Sequence, residues 1–276
     1  YSNTGKNFNS CAMGSIIFQN LESSEENLAS ESPALFCITA KYYYDLTKDM
    51  EFIEYILPSL EFAIMSQVKY INLNDGNLRF NGDETERYVP RKDGEMYHFT
   101  TDFNHDDYTS SAMVLFLAAA EFYIKIKPDY LLEEAVKKVK YAILKKHIDK
   151  NKILKWQTGK IDRGYLITNY NLFPIWLDVE LPDNIAEINA LEMLNYFNPK
   201  TGYLPISPGV TEGFTGHTLG IALDAFVKLN HPKQHEIFGK LKGLTDKFGT
   251  FSEFYGPGGV SNSHNINIFS SGINVA

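Results

Sequence analysis

Apolar residues in this chain recur three and four positions apart, in paired stretches of helical length, and nowhere alternate for long with period two. That pattern constrains the fold more than any other feature. Ser32-Pro33 opens a predicted helix through Tyr44, with proline at its first turn and Leu35, Ile38, Tyr42 and Leu46 at helical spacing. Lys48-Asp49 caps the next, which carries Phe52, Tyr55, Ile56, Leu60 and Ile64, with a kink expected at Pro58. Helices are predicted again over Thr109 to Ile126 and Pro128 to Lys146. In the first, the run Met113 to Ala120 reads as a buried segment; in the second, Leu132, Val136, Val139 and Ile143 form the apolar stripe. Asp149 to Lys152 reads as a turn between short strands. Two further pairs span Leu166 to Val179 with Asn184 to Phe197, and Phe214 to Leu229 with Pro232 to Phe248. A last helical stretch begins at Asn267. The repeating unit is a helical hairpin. Regular alternation of strand and helix is absent, which argues against a Rossmann fold or a β/α barrel. No linker or low-complexity tract divides the 276 residues, so one domain over 1–276 is expected.

The remaining totals exclude function classes. A net charge of -8 offers no electrostatic reason to hold nucleic acid or an anionic membrane surface. No stretch approaches the roughly 20 apolar residues of a membrane span. The first residues, Tyr1-Ser2-Asn3, show no signal peptide, which leaves the compartment open and slightly favours the cytoplasm. Cys11 and Cys37 form no CxxC pair. Cys37 falls on an apolar helix face and reads as core. Aromatic residues reach 14%, and sugars stack their C–H faces on such rings, although ordinary packing uses them equally well.

Three segments carry a resemblance to a known superfamily. The run Ser30-Glu31-Ser32-Pro33-Ala34-Leu35-Phe36, then Tyr42-Tyr43-Tyr44-Asp45-Leu46-Thr47-Lys48-Asp49, then Ile56-Leu57-Pro58-Ser59-Leu60-Glu61 is similar to the hairpin signature of six-hairpin glycosidases. Glucoamylases, trehalases, glucosidase I and glycogen-debranching glucosidases share that architecture. Gly82-Asp83-Glu84-Thr85-Glu86-Arg87-Tyr88-Val89-Pro90-Arg91 resembles the acidic loop that supplies the catalytic acid in glucosidase I. Glu253-Phe254-Tyr255-Gly256-Pro257-Gly258-Gly259 resembles the segment near the C-terminus where those enzymes keep the base. The resemblance implies an all-α fold, an (α/α)6 toroid of antiparallel helical hairpins. Ten helices are easier to count here than twelve, so the toroid is expected to lack parts at its ends. The large N-terminal β-sandwich usual in such enzymes has no counterpart.

Glycoside hydrolysis needs one protonated carboxyl at the leaving oxygen and one ionised carboxylate opposite. The resemblance implies an inverting enzyme, in which the two stand about 6.5–9.5 Å apart with a water between them. Asp83 or Glu84 is then the acid and Glu253 the base; the extra residues of the acidic loop leave Asp83, Glu84 and Glu86 as alternative matches. These carboxylates also read as a solvated turn paired with Arg79, Arg87 or Arg91. The long unpatterned stretch from Tyr70 to Tyr108, where binding groups concentrate, adds Glu86, Arg87, Tyr88, Asp102, His105 and Asp106 as sugar-binding candidates. The two His and three Asp of its last segment, His98 to Tyr108, match no zinc or calcium loop, so no metal is assigned, and no cofactor is implied. Trp156 is a candidate stacking platform and Trp176 a core residue. His217, between Gly216 and Thr218 at the start of a helix, faces either a barrel mouth or the core. Tyr255 completes the set of aromatics expected around one cavity, with Tyr88, Tyr97, Phe103 and Trp156.

The expected function is an exo-acting glycoside hydrolase on an α-linked gluco-oligosaccharide or related sugar, with a carbohydrate as its partner. A polysaccharide lyase or epimerase on the same toroid is the alternative enzyme. The lyase is disfavoured because few basic residues beyond Arg87 and Arg91 stand in the predicted loops. A carbohydrate-binding domain without catalysis is the third reading.

Overall fold

The computed structural model describes residues 31–71, 75–78, 88–90, 96–98, 108–155, 157–158, 168–209, 212–244, 251–252 and 254–260. Among these residues the chain forms eight α-helices, and its strands are two or three residues long. They belong to two compact units.

The first unit begins with α1 (Glu31–Thr47) and α2 (Met50–Val68). The turn between them places Lys48 at positive φ, and the Asp49 carboxylate accepts the Phe52 amide at 3.0 Å, the capping read from the sequence. Tyr43 donates its hydroxyl to the same carboxylate at 2.9 Å. The amide bonds, with Tyr43 second, hold the Asp49 carboxyl below its ordinary range. Helix α2 runs on through Pro58 as one element. Its buried residues are Ile53, Leu60, Ala63, Ile64 and Gln67. Cys37 is fully buried, with its Sγ 3.8 Å from the Leu60 carbonyl. Burial pushes its thiol up to about 12, so it behaves as core. Leu46, Phe52 and Tyr55 depart from the predicted stripes: Leu46, in the last turn of α1, is 86% exposed, Tyr55 82% and Phe52 40%.

Helix α3 (Ser110–Ile126) is capped by the Thr109 hydroxyl, which accepts the Ala112 amide. Every residue from Met113 to Ala120 is buried. A helix apolar on all sides needs neighbours on all sides, and α3 has α1, α2 and α4 (Tyr130–Lys146) against it. Burying each of Leu115, Phe116 and Leu117 contributes about 2 kcal/mol. Helix α4 starts at an Asp129 cap and buries Leu132, Val136, Val139 and Ile143, the predicted stripe. Its C-terminal end is tied down by residues 75–77: Lys146 pairs with Asp75 at 2.6 Å, and the buried His147 donates through Nε2 to Asn77 Oδ1 at 2.8 Å. A two-residue ladder of β3 (Tyr108–Thr109) with β4 (Gln157–Thr158) pairs Tyr108 with Thr158 and Thr109 with Gln157.

The second unit is built around α5 (Thr168–Trp176), buried at every residue except Ile175. Trp176 is core, as read from the sequence. Helix α6 (Ile185–Glu192) continues into a 3-10 turn over Met193–Tyr196, so the predicted helix to Phe197 tightens at its end. Helices α5 and α6 pack together, and α7 (Thr218–Lys228) lies between α5 and α8 (Lys233–Leu244). The predicted helical start at Phe214 is replaced by strand: β5 (Phe214–Thr215) pairs antiparallel with β6 (Phe254–Tyr255), and the helix opens only at Thr218. Asp149 folds the predicted 149–152 turn by accepting the amides of Asn151 and Ile153 at 2.8 and 2.9 Å.

Candidate functional site

Within the second unit the strand pair and the start of α7 gather a buried polar cluster. The pairing sets Thr215 opposite Phe254 and Phe214 opposite Tyr255. Thr215 points its hydroxyl at Thr218 Oγ1, 2.6 Å away, and at His217 Nε2, 3.2 Å away. From α5, Asn169 brings its Nδ2 to 3.3 Å from the same imidazole nitrogen. An amide nitrogen only donates, so Nε2 accepts and the ring proton sits on Nδ1. The neighbouring Thr168 hydroxyl donates to the Pro205 carbonyl at 2.6 Å. Asn169, Thr215, His217 and Thr218 are all buried. Desolvation lowers the His217 pKa to about 3. The imidazole is therefore neutral at physiological pH and serves as a hydrogen-bonding group, not a cation.

The second cluster is aromatic. The Tyr255 ring lies on Phe214 with centroids 5.1 Å apart and planes 10° apart; Phe214 in turn stacks on Tyr203 at 4.6 Å and 24°. Lys240 places its ammonium 5.3 Å from the Tyr203 centroid. The Tyr255 hydroxyl accepts the Ser252 amide at 2.9 Å and donates to the Leu244 carbonyl at 3.3 Å.

Two of the candidates fall among these buried groups. His217 is buried between Asn169 and Thr215, the core alternative of the two its sequence left open. Tyr255 is 4% exposed and has a packing reason of its own, which removes the argument that a large loop aromatic needs a ligand to explain it. Both side chains are buried. Tyr88 lies in β1 (Tyr88–Pro90), which pairs with β2 (Met96–His98), the strand that holds Tyr97. Asp83, Glu84, Glu86, Arg87, Asp102, Phe103, His105, Asp106, Trp156 and Glu253 lie outside the described residues.

Sequence reasoning passed over Asn169, Asn171, Asn189 and Tyr203. For the first two a signal existed. Thr168-Asn169-Tyr170-Asn171 puts two poor helix formers inside an apolar helix, where each needs a buried partner. Asn171 Nδ2 donates to Asn189 Oδ1 at 2.8 Å, and the same oxygen accepts the Leu154 amide at 2.8 Å. This joins the 149–155 turn to α5 and α6.

The fold is that of an (α/α)6 toroid. No protein-family model matches the sequence, and no curated protein matches it either. Solved structures do. The cellobiose 2-epimerase of Bacillus thermoamylovorans superposes with a TM-score of 0.63 at 12% identity, over 92% of this chain and 72% of that one. The unsaturated glucuronyl hydrolase of Bacillus sp. GL1 gives 0.61 at 10% identity, over 95% and 76%. A GH8 xylanase of Teredinibacter turnerae gives 0.61 at 10%, over 90% and 70%. Identities this low establish the fold. Among the described residues no helix is long and apolar enough to cross a membrane.

Proposed function

We propose that the chain is a single-domain carbohydrate-active enzyme, an inverting, exo-acting glycoside hydrolase on an α-linked gluco-oligosaccharide or related sugar. The observation that carries the reading is the toroid fold, shared with glucuronyl hydrolase and xylanase structures, on a chain with two acidic segments of the type such hydrolysis needs. Asp83 or Glu84 is the acid, which protonates the leaving oxygen. Glu253 is the base, which takes a proton from the attacking water. Glu86, Arg87, Tyr88, Asp102, His105, Asp106 and Trp156 supply hydroxyl contacts and a stacking face. His217 and Tyr255 serve from behind, holding backbone in place and leaving the sugar to others.

The likeness to a cellobiose 2-epimerase and to a D-mannose isomerase favours a second reading, epimerisation or isomerisation at a sugar's reducing end. Incubation with α- and β-linked gluco-oligosaccharides, followed by proton NMR of the products, separates the two. Release of a monosaccharide with inverted anomeric configuration is the expected result. A new epimer or ketose with the glycosidic bond intact favours the second reading. Glu253→Gln keeps shape and removes the base, so turnover should fall ~100-fold or more with binding retained. Undiminished turnover in that variant refutes the assignment.

A further inference from the structure

Tyr255 reaches back across position 253 to the chain that precedes it. Its hydroxyl accepts the amide of Ser252, three residues back, and donates to the carbonyl of Leu244, the last residue of α8. The chain between Ser252 and Tyr255 is thereby spanned by one side chain. On the far side of position 253, Phe254 is paired with Thr215 in the β5–β6 ladder, and Thr215 is held by Thr218 and His217. The Tyr255 ring cannot slide freely, because it lies flat on Phe214, which lies on Tyr203. The turn that follows closes the arrangement. Gly256 donates its amide to the Val260 carbonyl at 2.8 Å, and Gly259 donates to the Gly256 carbonyl at 2.9 Å. Gly259 has a φ of +79°, and a Cβ there would stand 2.6 Å from the Tyr203 hydroxyl, so this turn rests directly on the end ring of the stack.

We propose that Tyr255 is a positioning residue, whose hydroxyl and stacked ring set the backbone on either side of Glu253 against α8 and β5. The proposal rests on the reading of Glu253 as the base. A general base works only within hydrogen-bonding reach of its proton, and tolerance for misplacement is a fraction of an ångström. Three features meet here: a buried hydroxyl with both donor and acceptor capacity used, a ring held by stacking, and a two-residue ladder whose partner strand is locked to α7. Packing alone would be served by phenylalanine. The hydroxyl is the part that ties the residue before position 253 to the end of a helix.

Tyr255→Phe removes that hydroxyl and keeps the ring. We expect kcat to fall ~10-fold or more with KM within about 2-fold of wild type, since a misplaced base weakens the chemical step and not sugar binding. Hydrogen exchange at the Ser252 amide should quicken by ~10-fold or more, with the helical amides of α7 unchanged. Tyr196→Phe, which loses a hydroxyl that donates to Glu192 in the 3-10 turn after α6, should leave kcat unchanged. If Tyr255→Phe retains full kcat while Glu253→Gln is inactive, the positioning role is overturned and the base assignment stands. If Glu253→Gln is itself active, the base assignment has failed, whatever Tyr255→Phe does. Should Tyr255→Phe not fold, exchange in the wild-type protein decides: slow exchange at Ser252 supports the proposal, and exchange at the rate of free chain overturns it.

Discussion

His217 Nε2 lies 3.3 Å from Asn169 Nδ2 and 3.2 Å from Thr215 Oγ1, and all three residues are buried. The pair joins the start of α7 to α5, and it works only with a neutral imidazole, because a protonated ring has no lone pair for the amide. The relationship makes acid stability depend on one residue. Burial lowers the folded pKa to about 3 from an ordinary 6.5. Between those values the unfolded chain binds a proton that the folded chain refuses. The histidine's contribution is complete above pH 6.5 and is lost progressively as pH falls toward about 3. Urea unfolding should show wild type losing about 2 kcal/mol more than His217→Gln between pH 6.5 and 5. Parallel pH profiles would place the pKa elsewhere.

Asn189 is the hub of the second unit. Its Oδ1 accepts from the Leu154 amide and Asn171 Nδ2, both at 2.8 Å, and its Nδ2 donates to the carbonyls of Lys152 at 2.9 Å and Ile185 at 2.8 Å. Asn189→Ala strands these partners away from water and should lower stability by roughly 3 kcal/mol. Asn195→Ala, which removes only an exposed contact with Glu192, should change it by less than about 0.5 kcal/mol. Equal midpoints for the two variants in chemical denaturation would contradict the network.

Gly76 and Gly239 should respond oppositely to the same substitution. Gly76 has a φ of +75°, and a Cβ there would overlap the Lys138 carbonyl, so Gly76→Ala combines backbone strain with a clash against the backbone of α4. A loss of roughly 3 kcal/mol is expected. Gly239 stands inside α8, where an added Cβ would meet nothing within 4 Å, and Gly239→Ala should stabilise by about 0.5–1 kcal/mol. Thermal unfolding midpoints read both, and a fall for Gly239→Ala would show that the helix needs the glycine.

The sequence by itself determined the helices, because their determinants are local. Asp49, Thr109 and Asp129 cap the helices whose starts they mark, and the Met113–Ala120 run is buried because nothing polar interrupts it. Periodicity names a face; it does not say whether a neighbour covers that face at each turn, which is why Leu46 looked like core and stands exposed. Tertiary structure alone decided that residues 214–215 are strand, since their partners, 254–255, lie some forty positions away and no local pattern encodes that pairing. It likewise decided the surroundings of His217 and Tyr255. A histidine beside a glycine and a tyrosine in a loop have the same local signature whether they meet a ligand or the core. What separated the two cases was Asn169 on one helix and Leu244 at the end of another, groups brought within hydrogen-bonding distance only when the chain folds.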